Sequence, residues 1–149
     1  MYQRILVATD GTPLAKKASQ HAIKLAEQTG AQLVVVTVVP RYPMSYFEGG
    51  NLALEAQDIA RIEQQWNDSG QAKVDAVAKA ALAAGVKHCK AVVVKSESVS
   101  DALLGAATKH KCDLIVMASH GRSGIKRLLL GSETQHVLTR ATVPVLVLK

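Results

Sequence analysis

Five short runs of this chain are apolar at nearly every position: Ile5-Leu6-Val7-Ala8, Leu33–Val39, Ala91–Val94, Leu114–Ala118 and Val145–Leu148. None alternates as a strand with one wet face does. A strand that is apolar on both faces has to be covered on both, which is the habit of parallel sheets layered between helices. Each run is also far shorter than the roughly 20 apolar residues that cross a bilayer as a helix. Helix-patterned segments separate the runs, so the chain is expected to form a parallel α/β sheet with crossover helices.

The first strand is expected at Arg4–Thr9. Thr12 and Pro13 then make a cap and first-turn pair that opens a helix to about Thr29, with Leu14, Ala18, Ala22 and Leu25 inward and Gly30 at its end. Leu33–Val39 is the second strand. Pro40–Gly50 is irregular, holds Tyr42, Tyr46 and Phe47, and is expected to act as a mobile lid in which Met44, Tyr46 and Phe47 could cover a bound base. A long helix follows from about Leu52 to Ala84, with Ile59, Ile62, Trp66, Val77 and Ala81 on its buried side. Asn67-Asp68-Ser69-Gly70 either bends or interrupts it, and Gly85 stops it. Ala91–Lys95 is the third strand, and Ser98-Val99-Ser100-Asp101 matches a capping box with Asp in the place of Glu or Gln. That helix should end near His110, with Leu114–Ala118 as the fourth strand. Gly131-Ser132 opens a last helix to about Arg140, and Pro144 introduces the final strand, Val145–Leu148.

At 149 residues and 15.8 kDa the chain has the size of one domain, expected to span 1–149, and can bury a core without disulfides or metals. Cys89 and Cys112 lack the spacing and number of a metal site and are read as buried or half-buried thiols. The five histidines show no metal pattern either. The opening Met1-Tyr2-Gln3-Arg4-Ile5 lacks the long apolar core and cleavage site of a signal peptide, so the expected location is cytoplasmic. A net charge of +6 points to nucleic acid or to a smaller anion such as a nucleotide. The cations are spread along the chain and aromatics are 3% of it, too few for a base-stacking platform, so no dedicated nucleic-acid site is expected.

In open α/β sheets ligands gather beyond the carboxyl ends of the strands, where the strand order reverses. After the first strand comes Thr9-Asp10-Gly11-Thr12; after the fourth comes Ser119-His120-Gly121-Arg122-Ser123-Gly124-Ile125-Lys126-Arg127, then Gly131-Ser132 at a helix start. Glycines let backbone N–H groups approach phosphate oxygens, and a helix start adds unpaired N–H groups and the positive end of its dipole. Arg122, Lys126 and Arg127 add charge, and Asp10 is placed to accept hydrogen bonds from a ribose or base, or simply to cap its own turn. The glycines could equally serve only to reverse the chain. Neither Gly-x-x-x-x-Gly-Lys-Ser/Thr nor a Gly-x-Gly-x-x-Gly after the first strand is present. His120 could reach a phosphate but reads more simply as loop, and Trp66 as core or interface.

Taken together, Ile5-Leu6-Val7-Ala8-Thr9-Asp10-Gly11, Asp113–Gly121, Leu129-Leu130-Gly131-Ser132 and Val143-Pro144-Val145-Leu146-Val147 resemble the universal stress proteins, and the resemblance covers nearly the whole chain. The ATP-binding branch of that family carries Gly, two residues, Gly, nine residues, Gly and Ser or Thr. Here the second glycine is Gly121, the spacer is Arg122–Leu130 and the closing pair is Gly131-Ser132, while Ala118 stands in the first glycine's place. The resemblance implies a Rossmann-like fold of the adenine nucleotide alpha hydrolase type: one five-stranded parallel sheet, order 3-2-1-4-5, with helices on both faces. It implies that Asp10 and the backbone of Val38 address the base and ribose with Met117 beside them, that Ala8 belongs to the same nucleotide-binding set, and that the Ala118 Cβ lies against the sugar or α-phosphate. Backbone groups of Gly121, Arg122, Gly131, Ser132 and Glu133 would face the phosphates, with the Glu133 carboxylate turned away from them and Thr134 also in the binding set. The ligand so implied is ATP, ADP or AMP, with Asp10 and phosphate oxygens able to hold Mg²⁺ or Mn²⁺, and the final strand Val145–Leu148 is implied as a homodimer contact. The chain therefore reads as a nucleotide-binding stress-response module without an evident general base. A slow ATP hydrolase or nucleotide-transfer enzyme at the same site, or a nucleotide-free dimer, are the alternatives.

Overall fold

A computed structural model of the chain describes residues 1–41, 52–121 and 130–149. The expected lid in Pro40–Gly50 and the cations Arg122, Lys126 and Arg127 lie wholly or mostly outside those residues. The elements in chain order are β1 (Arg4–Ala8), α1 (Pro13–Thr29), β2 (Gln32–Val39), α2 (Leu52–Ala83), β3 (Cys89–Lys95), α3 (Val99–Lys109), β4 (Leu114–Ala118), α4 (Ser132–Arg140) and β5 (Val145–Leu148). They build one five-stranded sheet in the order β3-β2-β1-β4-β5, with all four pairings parallel. This is the expected Rossmann-like architecture.

The strands are apolar on both faces because each face has its own core. Ile5, Val7, Leu33, Val35 and Val116 point to one side, against Ala18, Ala22, Ile23 and Ala26 of α1 and Val74 and Ala81 of α2. Leu6, Val34, Val36, Ile115 and Met117 point to the other, against Leu103, Ala106 and Ala107 of α3 and Val137 of α4. The period of two along each strand thus divides its residues between the two cores. Among the described residues no helix is long and apolar enough to cross a membrane.

Helix ends follow the sequence signals. Thr12 caps α1 by accepting the Ala15 N–H, and Gly30 ends it with φ +72°. Ser98 caps α3 by accepting the Asp101 N–H. The expected capping box is only half made, however. The Ser98 N–H goes to Ser96 Oγ, and the Asp101 carboxylate pairs instead with Arg140 of α4. Asp is one methylene shorter than the Glu of a full box, and the guanidinium beside Asp101 holds its carboxyl below the usual range.

Three strand boundaries differ from expectation. β1 stops at Ala8, although the Thr9 N–H still bonds Val36 O at 2.9 Å, because the chain turns at Asp10-Gly11. β2 begins one residue early at Gln32, and β3 begins two residues early, where Cys89 and Lys90 pair with Leu33 and Val34 despite the polar Lys90. Both cysteines are free; burial raises the Cys89 thiol, and burial, then Asp113, push Cys112 up to about 11 against the opposing pull of Arg4. Both shifts favour the thiol over the reactive thiolate.

The Asn67–Gly70 segment neither bends into a turn nor interrupts the helix, since α2 runs unbroken through it. Gly70 is buried there, and a Cβ added to it would stand 2.7 Å from Val39 Cγ1 and 3.2 Å from Thr37 Cγ2. The glycine lets α2 lie close on β2 and β3. Alanine favours a helix over glycine by about 1 kcal/mol, yet Gly70→Ala should destabilise the protein, because forcing a methyl into this contact costs about 1–3 kcal/mol. A lower urea midpoint with an unchanged m-value is the expected result; a higher midpoint would contradict the close contact.

Candidate functional site

The sheet winds one way from β1 to β2 and β3 and the other way from β1 to β4 and β5, so the crossover helices diverge beyond the β1–β4 pair. A cavity of about 530 Å³ opens there, a size usual for small-molecule sites. Ala8, Val36, Val38, Met117 and Ala118 form its floor, and Val99 and Leu103 of α3 its apolar wall. The remaining walls are Thr9-Asp10 after β1, His120-Gly121 after β4, and the start of α4 from Leu130 to Thr134.

Asp10 is held by its own turn. Its Oδ1 accepts the Thr12 N–H at 3.0 Å and the Thr12 hydroxyl at 2.6 Å, while the Thr12 oxygen caps α1. Gly11 makes the reversal possible with φ +80°. Both roles foreseen for Asp10 are thereby available together, since Oδ1 caps the turn and Oδ2 faces Gly121. A Cβ on Gly121 would lie 2.9 Å from that Oδ2, so glycine is what lets the β4 loop pass the carboxylate.

The start of α4 is built differently from those of α1 and α3. Its N-cap is Gly131, which has no side chain to cap with, so no side-chain hydrogen bond covers the first turn. Those N–H groups and the positive end of the helix dipole open on the cavity. The end is pinned from behind: the Gly131 N–H donates to Ser119 O at 2.8 Å, and the buried Thr134 hydroxyl lies 3.1 Å from both Ala118 O and Ser119 O. Glu133 is turned away as expected, and the structure shows where its charge goes: Oε2 accepts the Ser100 N–H at 2.7 Å, in the first turn of α3. The acid thus satisfies the neighbouring helix start and leaves its own uncovered.

Every sequence-predicted site residue within the described residues lines this cavity: Ala8, Asp10, Val38, Met117, Ala118, Gly121, Gly131, Ser132, Glu133 and Thr134. Arg122 lies outside the described residues. Thr134 is spent on strand carbonyls, which makes it a positioning residue for the α4 start. Val99 and Leu103 were missed; their spacing of four puts both on one face of α3, and Val99 is 39% exposed, the signal of an apolar face with an unfilled neighbour. Thr9, Ala15 and Val36 were also missed as lining residues. His120 does reach the cavity wall, with its Nδ1 3.2 Å from Ser119 Oγ. Among the described residues no group of three or more His, Cys, Asp or Glu side chains could hold a metal.

The profile of the universal stress protein family matches residues 1–149. A universal stress protein of Methanocaldococcus jannaschii is 33% identical over 152 residues, spanning 100% of this chain and 83% of that relative. The solved UspA protein of Lactobacillus plantarum has the same fold, with a TM-score of 0.85 at 21% identity over 99% of this chain and 98% of that one. A universal stress protein solved in complex with cAMP superposes with a TM-score of 0.73 at 27% identity, covering 99% of this chain and 97% of that one.

The clamp on α4 is testable without ligand. Thr134→Val keeps the shape but leaves the strand carbonyls without their hydroxyl donor, a loss of about 1–3 kcal/mol. Thermal melting should show a lower Tm, and amide exchange at Ser132 and Glu133 should quicken; an unchanged Tm would show that the hydroxyl does not pin the helix.

Proposed function

This chain belongs to the universal stress protein family, and on that premise we propose that it is an adenine-nucleotide-binding module acting in the stress response as a homodimer. The observation that carries the reading is the uncapped, glycine-started α4, whose first N–H groups open on a cavity at the point where the sheet reverses. The residues fit such a ligand in shape and in charge. A flat apolar base suits the slot between Val36, Val38 and Met117 on the floor and Val99 and Leu103 on the wall. A ribose hydroxyl suits Asp10 Oδ2. The phosphates suit the free N–H groups of Ser132 and Glu133, with Gly131 giving close access through its missing side chain and Gly121 and Arg122 beside them. Ala118, in place of a family glycine, stands next to the sugar or α-phosphate.

The module holds its ligand more readily than it transforms it. Glu133 is engaged at the start of α3, and Asp10 spends one oxygen on its turn. A Mg²⁺ or Mn²⁺ ion would therefore take phosphate oxygens, water and at most Asp10 Oδ2 from this set. The bound cAMP of the similar solved protein supports an adenylate moiety as the common part, with ATP, ADP and AMP differing in how far they reach along α4.

β5 lies at one edge of the sheet with only β4 beside it, and all four of its residues, Val145–Leu148, are half-buried. An apolar edge of this kind invites a partner strand, and a two-fold axis would supply an identical one. In this reading the dimer closes through β5, on the side of β4 away from β1.

The binding reading is tested by melting with and without Mg-ATP and AMP. With a Kd on the order of 10 μM, about 1 mM ligand adds roughly 2.7 kcal/mol, or about 5–10 °C in Tm for a chain of this length. No shift with any adenine nucleotide would sink it. Light scattering during size exclusion tests the assembly. A dimer is expected for the parent chain and a monomer or aggregate for Val147→Pro, which removes a backbone donor from the edge; a monomeric parent chain refutes the contact.

A further inference from the structure

The opposite edge of the sheet, where the strands begin, holds a second cavity of about 520 Å³. Arg4 at the start of β1 and Lys90 in β3 line it, together with Lys87 after α2 and Lys109 and Lys111 around the end of α3. His88 and His110 stand between them. Five of the chain's 18 lysines and arginines thus meet in one concavity, and no Asp or Glu lines it. Among the described residues none of the five stands in an ion pair; the pairs there are Lys95–Glu63 and Arg140–Asp101.

Ordinary helix-end chemistry accounts for only part of this charge. The carboxyl ends of α2 and α3 point here, and each is worth about half a negative charge. Asp113 adds one more nearby, with its carboxylate bound by the N–H groups of Gln3 and Arg4 at 2.8 and 3.0 Å. Five cations line the concavity and no carboxylate does, so its lining is positive. Their convergence registers on His110, whose imidazole is held below its usual range by burial first and then by Lys90, Lys109 and Arg4. The Arg4 guanidinium is aimed by bonds to Gln32 Oε1 at 3.2 Å and His110 O at 3.4 Å.

A backbone observation points the same way. After α1 and α2 the chain takes its positive φ on glycine, Gly30 at +72° and Gly85 at +102°. After α3 it takes it on Lys111, at +53°, the one non-glycine residue with positive φ among the described residues. A lysine there costs conformational energy that glycine would not, so the surrounding structure has to hold it in place. The side chain at this position lines the cavity.

We propose that this basic concavity is a second anion site that takes a short chain of phosphates, separate from the cavity at the carboxyl ends of the strands. Several cations on flexible stems around one fixed guanidinium suit a compact, multiply charged oligophosphate better than a single anion. The lining has no Phe, Tyr or Trp on which a base could stack, which disfavours single-stranded nucleic acid. The phosphate chain is either inorganic or the tail of a nucleotide, and recognition at this site is of the phosphates alone.

The test is a titration of the isotope-labelled full chain with inorganic tripolyphosphate at low ionic strength, followed by amide chemical shifts. Saturable shifts are expected at Lys87–Lys90 and Lys109–Lys111, with affinity falling steeply as salt is added. Lys87→Glu with Lys90→Glu should weaken binding by roughly tenfold or more. Lys111→Gly separates binding from folding, because it should raise Tm by relieving the backbone while weakening tripolyphosphate. A second arm with ATP above saturation of the other cavity identifies the source: the same lower-edge shifts mean a nucleotide-borne chain, their absence an inorganic one. Tripolyphosphate shifts confined to Gly121 and Gly131–Thr134, or undiminished affinity in both variants, would overturn the site. So would an RNA oligonucleotide shifting these amides where tripolyphosphate does not.

Discussion

The pairing of β1 with β4 is the constraint from which the rest of this molecule follows. Every strand is parallel, so every carboxyl end lies on one edge, and each crossover helix returns to the other. Helices α1 and α2 cover one face, while α3 and α4 cover the other. At β1–β4 the winding reverses, and the loops that leave the two carboxyl ends turn to opposite sides of the sheet. The gap left there is polar where loops leave the strands and apolar where Val36, Val38 and Met117 line the floor.

Backbone hydrogen bonding decides how that gap is finished. A helix start has unpaired N–H groups that need a partner, and α1 and α3 find theirs in Thr12 and Ser98. For α4 the chain supplies Gly131, and the nearest acid, Glu133, reaches instead to Ser100. Thr134 fixes the helix to β4 from its buried side. The result is a helix start pinned from behind with its donors directed at the cavity, which is the arrangement an anionic ligand completes.

The two edges of the sheet carry opposite electrostatic designs. At the carboxyl edge, positive character comes from the α4 helix start, with Asp10 opposite it. At the amino edge the helix dipoles are negative, and charged side chains of Arg4 and four lysines override them. The nucleotide reading concerns the first edge and the oligophosphate reading the second, and neither requires the other.

Much of this was legible in the residues themselves, because local rules govern it. Doubly apolar runs specify parallel strands, Thr12-Pro13 and Gly30 mark the limits of α1, and a glycine before Ser132 marks an uncapped start. What the residues left ambiguous were matters of distance between elements. Asn67–Gly70 has the composition of a turn, and only the 2.7 Å approach to Val39 shows that Gly70 serves packing within an unbroken helix. Asp101 has the spacing of a capping box, yet Arg140, remote in sequence, takes its carboxylate. Val99 and Leu103 read as an ordinary apolar face until the gap beside them is seen. Arg4, Lys87, Lys90, Lys109 and Lys111 look scattered because more than a hundred positions separate the first from the last. The sequence by itself determined the strands, the helix ends and the glycines, since each depends on neighbours a few residues away. Tertiary structure alone decided which charges converge and which helix starts stay open, because Coulomb and hydrogen-bond energies depend on separation in space.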